Sequence, residues 1–156
     1  KLKGERIRVH GDYHLGQILV KDNDFYIIDF EGEPESTIRD RKVKQPPLKD
    51  VAGLFRSFHY AIYATIFNNQ ESYPSNQENL FKAGEILYRY ITGLFLGTYV
   101  TETQNENLNL GYNQERIFIL KYCLLEKAVY ELGYELNSRP KWAVIPLKGI
   151  SNIINH

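Results

Sequence analysis

The sequence predicts an α+β fold that is mostly α, with a β-hairpin at its head and a helical bundle behind it. Two observations carry this. Up to residue 28 the apolar residues come in short β-branched and aromatic runs around an Asp/Asn turn; from Leu48 onward they recur at helical spacing. The 156 residues show no internal repeat and no flexible linker, so one unit with its own core is expected.

Taken in order, residues 6–10 (Arg-Ile-Arg-Val-His) alternate polar and apolar like a half-buried strand. Residues 11–16 read as a loop. Ile18-Leu19-Val20 and Phe25-Tyr26-Ile27-Ile28 flank the turn residues Lys21-Asp22-Asn23-Asp24 and predict a hairpin. Folding it back brings Gln17 near Asp29. Residues 31–47 are polar, charged and proline-bearing, which predicts an ordered surface loop. Val51, Phe55, Phe58, Ile62 and Ile66 mark the buried face of a first long helix. A loop at 68–74 follows, and Ser75-Asn76-Gln77-Glu78 reads as the capping box of a second helix. Leu80, Leu87, Ile91, Leu94 and Phe95 are expected to face its core. Residues 101–109 are Asn-rich and predict a loop. A third helix is expected over about 113–137, with Ile117, Leu120, Leu124, Val129 and Leu132 buried and Pro140 ending it. Ile145-Pro146-Leu147 begins a short last segment.

Composition narrows the function classes. Nineteen basic residues balance nineteen acidic ones, so bulk charge does not drive binding to nucleic acid or to an anionic membrane. No apolar run is long enough to span a bilayer, and no signal peptide opens the chain. A single cysteine, Cys123, fits a reducing cytoplasm, and its apolar helical setting predicts a buried, inert thiol. The chain contains no methionine and opens directly on a strand-like segment, which reads as a piece of a longer protein.

The informative stretch is His10-Gly11-Asp12-Tyr13-His14-Leu15-Gly16-Gln17, followed by Asp29-Phe30-Glu31-Gly32. Phosphoryl transfer needs a carboxylate to orient the acceptor hydroxyl and take its proton. It also needs a divalent ion to neutralise the nucleotide phosphates. Protein kinases use H-R-D-x-x-x-x-N and then D-F-G for these tasks. Asp12 and Gln17 keep the five-residue offset of that Asp and Asn, which makes Asp12 the candidate catalytic base. Asp29 sits after the hairpin, where the metal-binding Asp belongs. Mg2+ takes one or two protein carboxylates and fills its shell with phosphate and water, so Asp29 and the Gln17 amide oxygen suit it. Glu31 is either a further ligand or a solvated loop acid. Gly11 in place of Arg, Gln17 in place of Asn, and Gly32 after Glu31 point away from protein kinases and toward small-molecule kinases of the same fold.

Other positions carry two readings each. His10 and His14 suit a metal or a general base, but are read as imidazoles that tie the loop to backbone carbonyls. Asp50, at a helix start, favours the helix dipole. Tyr130 and Tyr134 lie one helical turn apart, beside Glu131 and Glu135, with Trp142 beyond. Sugars present flat C–H faces and many hydroxyls, so Tyr130, Glu131, Tyr134 and Trp142 suit a sugar wall; packing in the core is the other reading.

The sequence resembles bacterial maltokinases, including the maltokinase segment fused behind trehalose synthase. His10 to Gln17 looks like that family's catalytic loop, and Ile28-Asp29-Phe30-Glu31-Gly32-Glu33-Pro34 like its metal-binding segment. Leu48-Lys49-Asp50-Val51-Ala52-Gly53-Leu54-Phe55-Arg56-Ser57-Phe58 looks like its next helix. Leu125-Glu126-Lys127-Ala128-Val129-Tyr130-Glu131-Leu132, Tyr134-Glu135-Leu136-Asn137 and the stretch from Arg139-Pro140 to Leu147 look like its closing helix and tail. The resemblance implies the C-terminal lobe of a protein-kinase-like, aminoglycoside-phosphotransferase-like fold over 1–156. Its parts would be a catalytic loop at 10–17, a metal-binding segment at 28–34 and a helical acceptor-binding region at 48–156. It implies an ATP-dependent, Mg2+-requiring kinase that converts maltose to maltose 1-phosphate, with Asp50 receiving backbone N–H groups of the catalytic loop. The N-lobe would then lie outside this chain, as would any fused trehalose synthase domain. Ile7, Val9 and Ile27 would face the uncovered side, and the isolated lobe would be inactive. The rival readings are a kinase of the same fold acting on an aminoglycoside, choline or homoserine, and a non-catalytic glycan-binding module.

Overall fold

The computed structural model describes residues 2–32, 37–69 and 76–155. Glu33, Pro34 and Ser75 of the expected motifs lie outside them. The hairpin forms as expected: β1 (Ile18–Lys21) pairs antiparallel with β2 (Asp24–Ile27), in the register Ile18 opposite Ile27 and Lys21 opposite Asp24. Asp22 and Asn23 both adopt positive φ (52° and 68°), the two-residue turn whose twist matches that of the strands.

The expected strand at 6–10 does not form. Ile7 makes a single antiparallel bridge to Gln45, with N–H···O distances of 3.0 and 2.9 Å. Pro46 and Pro47 follow immediately and have no N–H with which to continue a ladder. Ile7 and Val9 are half-buried rather than open, whereas Ile27 is exposed, as are Val20 and Phe25 at 69% each. The segment 31–47 is not all loop: α1 (Ile38–Arg41) forms where Thr37 Oγ1 accepts the Asp40 N–H.

Among the described residues four longer helices follow. α2 (Leu48–Asn68) is central and contacts α3 (Gln77–Asn105), α4 (Asn113–Ser138) and α5 (Val144–Asn155). It therefore buries more than one stripe: Leu48, Val51, Ala52, Leu54, Phe55, His59, Tyr63 and Ile66 are all buried. The core gathers Leu48, Val51, Ala52 and Phe55 against Ile119 and Cys123 of α4, with Phe95, Leu96 and Tyr99 of α3 packed on it. Among the described residues no helix is long and apolar enough to cross a membrane.

α3 departs most from expectation. It continues through 101–105, which the Asn-rich composition marks as loop. The Thr101 and Thr103 hydroxyls donate to the carbonyls of Gly97 and Tyr99, at 3.0 and 2.7 Å, and Thr103 is buried. Asn107 then turns the chain at φ 57°, and the Leu108 N–H closes on Thr103 O at 2.8 Å. The inward face of α3 runs through Gly84, Tyr88, Thr92, Phe95, Tyr99 and Thr103, so Leu87 and Leu94 point outward and are exposed. Small and hydroxylated side chains let α3 lie close to α2; a Cβ at Gly84 would come within 2.9 Å of Ile62 and Ile66. On α4, Ile117 and Val129 are likewise exposed, while Leu120, Leu124 and Leu132 face inward.

α4 ends at Ser138, before a 3-10 turn at Pro140–Ala143. The expected short tail is a helix of three turns, α5. Pro146 sits in its first turn, where a missing N–H costs nothing. Ile145 and Pro146 are buried against the bundle.

Candidate active site

The loop at 10–17 is held from both sides. Asp50, in the first turn of α2, accepts the N–H of His10 at 2.7 Å and of Gly11 at 2.9 Å. Gly11 has φ 89°, so the chain doubles back just before Asp12. His10 is buried and lies within 2.7 Å of Ile28 O through Nε2, while Nδ1 accepts the Asp12 N–H at 3.3 Å. These partners assign the proton to Nε2. One imidazole thus connects the exit of the hairpin to the residue at the tip of the loop. His14 Nδ1 accepts the Gly16 N–H at 3.1 Å, and Nε2 faces Asp12 Oδ2 at 3.6 Å. Ser57 of α2 accepts the Leu15 N–H at 3.1 Å and donates to Leu54 O.

Close packing completes the support. A Cβ at Gly53 would lie 2.6 Å from Tyr13 O, a backbone atom that cannot swing aside. In an open helix Gly→Ala gains about 1 kcal/mol. Here Gly53→Ala is expected to lose about 1–2 kcal/mol by forcing the loop off α2. Thermal melting of the variant checks it; an unchanged or raised Tm removes the claim that this contact seats the loop.

At the root of the hairpin Gln17 O accepts the Ile28 N–H at 3.0 Å, and Gln17 Nε2 donates to Asp29 Oδ2 at 2.9 Å. Hairpin closure therefore makes a Gln17–Asp29 pair. Asp29 has φ 63°, a left-handed conformation that is uncommon outside glycine and that turns its carboxylate back toward Gln17. Glu31 is exposed.

Asp12 and His14 stand at the edge of a cleft of about 700 Å3 between the loop, α2 and α4. Tyr130, Glu131 and Tyr134 line it, as three of the four expected wall residues; Tyr60, Lys127, Glu135 and Arg139 complete it. Trp142 is not in the wall. It stacks instead against the Arg139 guanidinium, 4.5 Å from its ring centroid. Both glutamates of the cleft have internal partners. Arg56 donates to Glu131 Oε2 through Nε at 2.9 Å and Nη2 at 2.7 Å. Arg139 grips Glu135 at 3.0 and 2.7 Å, and the Tyr60 hydroxyl donates to Glu135 Oε1 at 3.1 Å. Burial lifts the Tyr60 phenol above its ordinary range, and Glu131 and Glu135 add to that.

Lys127, Glu131 and Glu135 follow one another at intervals of four along α4, and Arg139, the residue that caps its C-terminus, continues the spacing, so one side of the helix carries the polar side of the cleft. That spacing is a signal in the sequence for Lys127 and Arg139 beside the expected wall residues, whereas Tyr60 comes from α2 and has no local signal. Arg56 gave no local signal, since its carboxylate partner is 75 residues away. Cys123 is buried as expected, and burial pushes its thiol up to about 11.

The fold is that of a kinase C-terminal lobe, α+β and mostly α. It superposes on a solved glucosamine kinase in complex with glucosamine, ADP and inorganic phosphate with a TM-score of 0.75, over 96% of this chain and 35% of that one, at 24% identity. A second solved form, glucosamine kinase in crystal form B, gives the same TM-score over 34% of its length. Among curated proteins, the chain is 25% identical over 148 residues to glucosamine kinase of Streptacidiphilus jiangxiensis, covering 95% of this chain. It is 25% identical over 138 residues to glucosamine kinase of Mycolicibacterium smegmatis, covering 88% of this chain. The chain spans about a third of the length of these relatives, 32% in each case. No family model matches it.

Proposed function

We propose that this chain is the acceptor-binding, C-terminal lobe of an ATP-dependent sugar kinase. The observation that carries the reading is the position of Asp12. It tops a loop anchored by Asp50 and stands at the mouth of a tyrosine-lined cleft that ends on paired acids. A sugar in the cleft would lay its C–H faces on Tyr130 and Tyr134 and point one hydroxyl at Asp12. The hydroxyl proton passes to the Asp12 carboxylate as the sugar oxygen bonds to the γ-phosphorus. The bond from that phosphorus to the bridging oxygen breaks, and its electron pair leaves on ADP.

The Gln17–Asp29 pair fits a hard divalent cation. With Gln17 Nε2 bonded to Asp29 Oδ2, the Gln17 Oε1 and the second Asp29 oxygen remain as donors, and both are oxygen. Asp29 and Gln17 would hold Mg2+, which would supply charge neutralisation on the nucleotide phosphates. The residues that grip the nucleotide would come from an N-lobe, packed against the exposed apolar residues of β1 and β2.

The acceptor we propose is maltose, in keeping with the resemblance in the loop and closing-helix motifs. Pairing inside the cleft supports an uncharged sugar: Glu131 is neutralised by Arg56, and Glu135 by Arg139. The names of the relatives favour glucosamine as the second reading. The full-length protein with Mg2+ and ATP is expected to release ADP in the presence of maltose and to form an acid-labile sugar 1-phosphate. Turnover of glucosamine without maltose turnover moves the assignment to the amino sugar; no sugar-dependent ADP release removes the kinase reading. Asp29→Ala is expected to raise KM for Mg2+-ATP far more than KM for the sugar, and the opposite pattern unseats Asp29 as the metal ligand.

A further inference from the structure

On the charged face of α4, Glu131 and Glu135 are taken up by Arg56 and Arg139. Lys127, at the N-terminal end of that face, is turned toward the loop, with Nζ 3.9 Å from Asp12 Oδ1. The ammonium also lies 5.3 Å from the Tyr130 ring centroid, a cation–π contact that fixes the end of a flexible side chain. Lys127 stands where two hollows meet. One is the 700 Å3 cleft; the other is a pocket of about 260 Å3 beneath the loop, walled by Gly11, Lys49 and Asp50. Asp12 and Lys127 border both.

The distances matter chemically. His14 Nε2 lies 3.6 Å from one carboxylate oxygen of Asp12 and Lys127 Nζ 3.9 Å from the other. Both exceed hydrogen-bond length. A direct hydrogen bond from a cation would occupy a lone pair that must receive the acceptor proton. A charge set slightly farther away constrains the direction of the carboxylate and leaves its lone pairs open. We propose that Lys127 is a positioning residue for Asp12, holding its carboxylate aimed into the cleft for proton transfer.

The inference rests on the sugar-kinase reading, and the test separates the two. In the full-length protein, kcat, both KM values and the melting temperature are measured for wild type, Lys127→Met, Lys127→Arg, Asp12→Asn and the Asp12→Asn/Lys127→Met double variant. Lys127→Met keeps the stem and is expected to melt like wild type. Its kcat is expected to fall by about 10- to 100-fold, the scale of a misplaced catalytic group, with KM for sugar and nucleotide unchanged. Lys127→Arg, which restores a cation, is expected to recover most of that loss. In the Asp12→Asn background Lys127→Met is expected to change kcat little, because its effect passes through the carboxylate. A Lys127→Met variant as active as wild type overturns the inference. So do losses that multiply in the double variant, and so does a fall in melting temperature that Arg does not rescue. If wild type itself shows no sugar-dependent turnover, the kinase reading falls and this inference with it.

Discussion

Asp12→Asn is expected to leave the fold, sugar binding and nucleotide binding of the proposed full-length kinase in place and to lower its kcat by roughly 10²–10⁴-fold, the usual worth of a positioned general base. The substitution is nearly isosteric. The bonds that seat the loop run from Asp50 to the backbone of His10 and Gly11, and from His10 to Ile28 and the Asp12 N–H. None uses the Asp12 carboxylate. Its amide replacement keeps the shape of the cleft mouth and loses the capacity to accept a proton from a hydroxyl. Steady-state kinetics with calorimetry of sugar binding measure both halves of the expectation. A variant with close to wild-type kcat removes Asp12 from the mechanism, and one that no longer binds sugar shows that the carboxylate serves binding instead.

Arg56→Met is expected to destabilise the protein by about 3–5 kcal/mol at neutral pH, the cost of leaving a buried charge without its partner. Arg56 is 1% exposed, at the centre of α2, and among the described residues it donates both of its side-chain hydrogen bonds to Glu131. Gly149 of α5 makes room for it; any side chain there would collide with the guanidinium. The deficit has a definite pH dependence. Burial lifts the Glu131 carboxyl above the ordinary glutamate range, and Arg56 opposes the lift. A carboxyl raised on folding contributes stability that is fully present below its unfolded value and lost as pH rises through its folded value. Without Arg56 the lift grows, so the loss of stability with rising pH is steeper in the variant. Urea denaturation is therefore expected to show a deficit that is largest near neutrality and shrinks as pH falls toward the ordinary glutamate range, because protonation of the raised Glu131 carboxyl removes the stranded charge. Adding Glu131→Leu is expected to recover most of the loss, since the stranded charge is gone. A small deficit, independent of pH, excludes the ion pair as a determinant of stability.

These two positions differ in how they could be found. Asp12 belongs to a stretch whose meaning is local. The offsets from Asp12 to Gln17 and on to Asp29 are properties of one loop and one hairpin, and a two-residue turn closed by Asp22 and Asn23 is enough to bring Gln17 to Asp29. Short-range chemistry of that kind is written in consecutive residues. The long helices were legible for the same reason, since α2 and α4 announce themselves by period and Pro140 marks where α4 stops. Arg56 is the opposite case. In sequence it is one charge on a helix, and its burial follows from α4 and α5 arriving on either side of it.

What the sequence by itself determined is the hairpin, the loop with Asp12, the Gln17–Asp29 meeting and the existence of the long helices. Tertiary structure decided which faces those helices bury. Period counting weights large apolar residues, and so it assigned Leu87, Leu94, Ile117 and Val129 to the core. The packed face of α3 instead runs through Gly84, Tyr88, Thr92, Phe95, Tyr99 and Thr103, where aromatic rings are interspersed with a glycine and with threonines whose hydroxyls bond their own backbone. Tertiary structure likewise reduced residues 6–10 to one bridge, since Pro46 and Pro47 leave Ile7 no ladder to join. It separated Trp142 from the tyrosine wall by stacking it on Arg139. It also set Lys127 beside Asp12. Residues 115 positions apart meet only when α4 packs against α2 and the loop that α2 carries, and burial of the shared core, not any pattern along the chain, supplies the free energy for that meeting.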